Sequence, residues 1–239
     1  MLFVRNDPTA PEALLGEVFA ESGFDGCTFD VIPPGRPDDP MVDVAFPDPA
    51  DYEVIVALGA RWAADDDRLP WLGAQMEMVR RALAVGSGVL GVCFGGQLLA
   101  RALGGTVSRS PDPEIGWHEV HSSDDTLVPQ GPWFQWHFDR FTVPPGAIGI
   151  ARNDRAVQAF RRGRALGLQF HPEVDADLVE RWIAEDTTGD LTRLGLSAET
   201  LRARTATEAD DAARRLRLLV RGFVGLLADD RAHSPQRLG

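Results

Sequence analysis

The chain is short of the features that mark several large classes of protein. Nowhere do about eighteen apolar residues run together, the length a membrane span requires. The opening stretch MLFVRNDPTAP has neither the charged start nor the apolar core of a signal peptide. A cytoplasmic protein with no membrane partner is therefore expected. Cysteine is scarce: Cys27 and Cys93 are too few for a disulfide framework, and in a reducing compartment they read as two free thiols. Basic residues are in deficit, 24 against 36 acidic, and the formal charge of −12 disfavours phosphate backbones. Nucleic acid is not an expected partner. No internal repeat or low-complexity tract is visible. Metal-ligand spacing is missing too: His118 and His121 would face opposite sides of a strand, and His233 has no partner. The Asp65-Asp66-Asp67 run reads as a solvated lead-in to a helix, so neither metal nor cofactor is expected.

The 239 residues, 44% hydrophobic, suffice for one compact α/β domain. Residues 2–5 read as a strand, 11–22 as a helix and 27–32 as a second strand with Cys27 in the core. Residues 54–58 (VIVAL) form an unbroken β-branched run, the pattern of a strand buried on both faces of a parallel sheet. Leu72, Met76, Val79 and Leu83 make one helical stripe that ends at Gly86. A further buried strand, 89–92, leads through a Gly-bounded turn into a helix over 95–103. This β-α order predicts a doubly wound, mostly parallel sheet with flanking helices. Shorter strands near 116–121, 135–137, 147–151, 156–160 and 165–170 predict a small antiparallel addition and one return strand to the main sheet. A helix is expected over 175–184, a flexible insert over 187–195, and a last helix over 207–228 opened by a Thr207–Asp210 capping box. The domain is taken as 1–239, with a catalytic core over 54–185 and a helical extension over 186–239.

Gly91-Val92-Cys93-Phe94-Gly95 sets a cysteine in a G-x-C-x-G turn between a buried strand and a helix, the cysteine form of a nucleophile elbow. The helix dipole favours a thiolate, and the Phe94 N–H points where an oxyanion would form. A free cysteine is commonly just a small buried hydrophobe, so the turn alone leaves both readings open. Gln169-Phe170-His171-Pro172-Glu173 ends a strand and sets a histidine and a carboxylate two apart, on one face. The imidazole is able to take a thiol proton and return it to leaving ammonia, with the carboxylate fixing its tautomer.

Four blocks, LGVCFGGQLLARALGG (90–105), EIGW (114–117), QWHFD (135–139) and LQFHPE (168–173), together resemble the class I glutamine amidotransferase family. The likeness is greatest to stand-alone members similar to the amidotransferase part of GMP synthase. It implies a flavodoxin-like fold, a triad of Cys93, His171 and Glu173, and a γ-glutamyl thioester on the cysteine. By the same resemblance the oxyanion hole comprises the Phe94 N–H and one from the loop at Gly59 and Ala60. Gln97 would contact the α-amino acid end of the substrate, and the backbone of Trp136, His137 and Phe138 would line the glutamine pocket. A surface role for Gln97 and local hydrogen bonds for His137 and Asp139 stay open. Two departures stand out: Ala60-Arg61-Trp62 replaces the family's Gly-Pro, and Gly96 stands where a histidine is frequent.

Two enzymatic functions follow. One is hydrolysis of L-glutamine with ammonia passed to a separate synthetase or acceptor subunit, since only about 66 residues follow Glu173. The other is self-sufficient hydrolysis of a γ-glutamyl peptide or amine by the same triad, suggested by the unusual loop. A non-catalytic scaffold is a third reading, disfavoured because packing does not demand all three triad residues.

Overall fold

The computed structural model describes residues 1–233, with side chains through residue 228; residues 234–239 of the expected extension and the His233 side chain lie outside the described residues. The strands are β1 (Leu2–Arg5), β2 (Cys27–Asp30), β3 (Val54–Ala57), β4 (Gly88–Val92), β5 (Val107–Ser122), β6 (Gly131–Phe141), β7 (Ile148–Arg152), β8 (Val157–Arg162) and β9 (Ala165–Leu168). The helices are α1 (Ala13–Glu21), α2 (Leu72–Val85), α3 (Phe94–Ala102), α4 (Ala176–Ala184), α5 (Asp190–Arg193) and α6 (Ala198–His233).

All nine strands form one sheet in the order β2-β1-β3-β4-β9-β8-β7-β5-β6. The first five pair in parallel; from β9 outward every pairing is antiparallel. The expected return strand is β9, which slots beside β4 with Val92 opposite Leu168.

Strand parity divides the core, because successive side chains point to opposite faces. Phe3, Val54, Val56, Leu90 and Val92 face α1 and the second half of α6, through Leu15, Phe19, Leu216 and Phe223. Leu2, Val4, Ile55 and Val89 face α2 and α3, through Leu72, Val79, Leu98 and Leu99. A strand between two helical layers must be apolar on both faces, and residues 54–58 are buried throughout.

Four expectations need correction. Cys27 is exposed, not core, because β2 is the edge strand of the sheet. The buried stripe of α2 is Leu72, Gln75, Met78, Val79 and Ala82, with Met76 and Leu83 only half-buried at its flank. Thr207 caps nothing: α6 begins at Ala198, and the Thr207 hydroxyl donates to Ala203 O at 3.0 Å inside the helix. Residues 187–195 contain α5, whose Leu191 is buried; Asp186 caps it by accepting from Asp190 N and Leu191 N at 2.8 and 3.0 Å.

Candidate active site

Cys93 stands at the tip of the turn from β4 into α3, with φ 50° and ψ −108°. Positive φ strains a non-glycine residue by about 1–3 kcal/mol and persists only where the surroundings enforce it. Here Cys93 N–H donates to Leu168 O and its carbonyl accepts from Gln97 N, both at 2.9 Å. The turn also needs residues without a Cβ. One added at Gly95 would lie 1.9 Å from Ala57 O, and one at Gly96 2.2 Å from Leu168 O. The start of α3 is thus seated directly on the ends of β3 and β9. Phe94 is the first residue of α3, so its N–H has no acceptor within the helix.

His171 follows β9, and its backbone N–H donates to Phe134 O of β6 at 2.8 Å. Its ring Nδ1 lies 2.6 Å from Glu173 Oε1, and both side chains are buried. Trp182 of α4 packs edge-on against the imidazole at 4.8 Å, and its own Nε1–H is tied to Thr9 O at 2.8 Å. The carboxylate engages Nδ1, which leaves Nε2, without a partner among the described residues, as the nitrogen free for chemistry. Burial alone would lower the pKa of this ring. The charges of Glu173 and Cys93, with the hydrogen bond to Glu173, outweigh burial and push it up to about 10.

A cavity of about 320 Å³ opens at the sulfur, lined by Cys93, Gln97, Trp136, His137, Phe138 and His171. It is at the lower end of the size range of small-molecule sites. Ala60, Arg61 and Trp62 form another part of its wall, as do Glu185, Thr187 and Thr188. The loop after β3 runs beside the imidazole: a Cβ on Gly59 would lie 3.2 Å from His171 Cε1. Arg61 fixes that loop through Asp7, which is fully buried. Its backbone N–H and Nε donate to Asp7 Oδ2 at 3.0 and 2.8 Å. Gly59 and Ala60 remain as the loop's candidate oxyanion donors.

A strained cysteine at a strand-to-helix turn, a buried His–Glu pair and a cavity uniting them describe a class of site, and comparison with known proteins narrows it. The family model for glutamine amidotransferase class-I matches residues 49–186. The chain belongs to the class I glutamine amidotransferase family. It is 36% identical over 128 residues to a GMP synthase [glutamine-hydrolyzing] from Aeropyrum pernix, a match covering 48% of this chain and 25% of that protein. It is 32% identical over 134 residues to a GMP synthase [glutamine-hydrolyzing] subunit from Sulfurisphaera tokodaii, covering 52% of this chain and 69% of the relative. The crystal structure of a glutamine amidotransferase from Thermotoga maritima superposes with a TM-score of 0.80 at 28% identity, over 93% of this chain and 96% of that one.

In this chain most residues picked out by sequence converge. Ala60, Cys93, Gln97, Trp136, His137, Phe138 and His171 share the cavity, with Glu173 behind the imidazole. The Phe94 ring points away, against Trp71 at 5.8 Å. Gln97 is not on the helix surface: it is buried, and its Nε2 donates to Asp139 O at 3.0 Å. The His137 ring is likewise turned inward, with Nδ1 3.0 Å from Asp139 O and Nε2 3.3 Å from Glu114 Oε2. Asp139 keeps its carboxylate 3.5 Å from Arg109; burial pushes its pKa up, against the pull of that guanidinium. Sequence reasoning assigned no role to Trp182, Gln169 or Glu114, which reach the site only through tertiary contacts. A visible sign was there for two of them: a polar residue inside each of the motif blocks EIGW and LQFHPE. No described helix is long and apolar enough to cross a membrane.

Proposed function

We propose that the protein hydrolyses the γ-carboxamide of L-glutamine through a Cys93–His171–Glu173 triad. The observation that carries this is the cavity in which a cysteine on a strained elbow shares a wall with a histidine paired to a buried carboxylate. The thiol proton already resides on His171, whose raised pKa favours a thiolate–imidazolium pair, and the thiolate adds to the amide carbon. The oxyanion is met by the Phe94 N–H and one from Gly59 or Ala60. Collapse breaks the C–N bond, and the imidazolium returns its proton to the departing ammonia, leaving a γ-glutamyl thioester on Cys93. Water, deprotonated by the same nitrogen, cleaves the thioester to glutamate. Glu173 holds the ring's tautomer and balances its charge throughout. No cofactor is needed for these steps. Ammonia would pass to a separate synthetase or acceptor subunit; the word "subunit" in the name of the Sulfurisphaera relative suggests this division of labour. The amidase site is assigned to this single domain, acting in the cytoplasm.

A second reading, hydrolysis of a larger γ-glutamyl amide by the same triad, draws on the cavity wall built from Arg61, Trp62, Glu185 and Thr188, which exceeds the Cys93–His171 surroundings. The test for both is turnover of a panel of γ-glutamyl amides, glutamine included, with intact-mass detection of an acyl group on Cys93. Fast glutamine turnover with a labelled Cys93 supports the first; preference for a bulkier amide with the same label supports the second. Full turnover by Cys93→Ala would end both.

A further inference from the structure

Beside the sulfur lies a buried chain of polar side chains that the proposed mechanism does not use. Gln169 Nε2 is 4.0 Å from Cys93 Sγ, and Gln169 is fully buried. Gln97 Nε2 lies 3.4 Å from Gln169 Oε1 and 3.0 Å from Asp139 O. That same carbonyl also meets His137 Nδ1 at 3.0 Å, and His137 Nε2 faces Glu114 Oε2 at 3.3 Å. Glu114 is in turn held by Asn153 Nδ2 at 2.6 Å and Gln158 Nε2 at 3.1 Å, and is itself fully buried.

Donor and acceptor roles along this chain are settled by elimination. A backbone carbonyl only accepts, so Asp139 O requires Gln97 to turn its NH₂ group toward it. That same NH₂ group then donates to Gln169, which must present its oxygen to Gln97 and its own NH₂ to the sulfur. Reversing the Gln169 amide would set two NH₂ groups against each other and a carbonyl oxygen against the thiolate. The far end is anchored electrostatically: burial opposes the Glu114 charge, but His137, His118 and Asn153 together hold its pKa below the ordinary carboxylate value.

We propose that Gln169 is a further catalytic residue, donating an N–H to the Cys93 thiolate, and that Gln97, His137 and Glu114 position it for that. The proposal rests on Cys93 being the nucleophile. Charged acceptors draw donors closer, so the long contact to the neutral thiol shortens when the proton leaves. Support of this kind favours the ionised sulfur and lowers the pH at which it becomes reactive. It complements the imidazole: His171 receives the proton, and Gln169 steadies the charge left behind.

The test reads the thiol directly and needs no substrate, so it separates failure of this proposal from failure of the glutaminase reading. Alkylation of Cys93 by iodoacetamide is followed by intact mass across pH, in a Cys27→Ser background that removes the exposed second thiol. Gln169→Met preserves side-chain volume and removes the donor; it is expected to raise the alkylation midpoint by about one pH unit. Glu114→Gln keeps the shape of the anchor and removes its charge; it should raise the midpoint in the same direction by less. A melting temperature that falls with an unchanged midpoint would reduce Gln169 to a packing role and overturn the proposal. Should Gln169→Met not fold, the wild-type protein answers: its Gln169 side-chain amide ¹⁵N–¹H resonances should titrate with the alkylation midpoint. Resonances that ignore it overturn the proposal equally.

Discussion

The carboxylate of Glu173 lies 2.6 Å from Nδ1 of His171, two residues away along the chain, with neither group open to solvent. The expected strand ends at Leu168, so the pair does not form along an extended strand: Pro172 and Glu173 make a turn that brings the carboxylate back to the ring, while the Phe134 carbonyl of β6 fixes the histidine's backbone through an isolated bridge. A buried ring in this setting keeps its proton far above the ordinary value of 6.5, up to about 10, despite the opposing effect of burial.

The pH dependence of stability follows from that shift. A group whose pKa is raised on folding stabilises the native state fully below its unfolded value, and that contribution is lost as pH climbs through the folded value. The stability gap between wild type and His171→Gln should therefore be greatest at pH 6 and close progressively from about pH 6.5 to about 10. Urea midpoints of both proteins across that range give the answer; a gap that widens with pH would contradict the assigned charge state.

Cys93 should reveal a trade between folding and activity. Cys93→Gly removes a strained φ worth about 1–3 kcal/mol against a cost of about 1 kcal/mol for glycine's freedom when unfolded. The expected result is a higher melting temperature together with loss of glutamine turnover by at least about 10⁴-fold. Calorimetry and an ammonia-release assay on one preparation suffice. A lower melting temperature would mean the backbone at Cys93 is relaxed.

Gly96 carries a steric prediction. With Leu168 O only 2.2 Å from where a Cβ would sit, Gly96→Ala forces the new methyl against the backbone of β9, which cannot swing aside as the end of a side chain would. Overpacking of this kind costs about 1–3 kcal/mol or more, read as a reduced urea midpoint. A neutral outcome would show that the helix start has room to shift.

Arg61 couples the pocket wall to the core. Arg61→Ala leaves the buried Asp7 carboxylate with only backbone and Thr9 donors. Since the guanidinium is half-exposed, the expected loss is about 1–2 kcal/mol rather than the larger cost of a fully buried pair. KM should rise more than kcat falls, because the loop that moves lines the cavity. Arg61→Lys, which keeps charge without the fork, should recover only part of either effect.

Thr207 offers a control. A helix cap replaced by alanine would cost about 1 kcal/mol; inside a helix and exposed, Thr207→Ala should be neutral or stabilising by up to about 0.5 kcal/mol. A clear loss of stability would restore the cap.

What was legible in the chain depended on how local its cause was. Residues 54–58 and 89–92 announce buried parallel strands because a strand between two helical layers has no polar face to show. The elbow was equally plain, since its turn is closed by glycines two and three positions from the cysteine. Cys27 was misplaced because its strand looks like the others; only the order of strands, fixed by distant pairings, puts β2 at an edge. The start of α6 was missed because, over its first three turns, only Leu201 and Thr205 are buried, too sparse an apolar stripe to read. The Glu114–Gln169 chain was hidden for a different reason. All its links except that between His137 and the Asp139 carbonyl, two apart on β6, join residues from separate parts of the chain, and buried amides scattered through apolar strands signal a network without naming its members.

Under the proposed triad, the position of β9 also sets when chemistry becomes possible during synthesis. Translation delivers Cys93 and its elbow long before His171, yet the slot between β4 and β8 that β9 fills is at the middle of the finished sheet. Until that strand docks, the backbone carbonyl that pins Cys93 is missing, the edge of β4 is bare, and the histidine has no place beside the sulfur. On the proposed mechanism a growing chain thus carries its thiol as an unarmed residue, and the last described strand of the sheet to be made is the one that arms it.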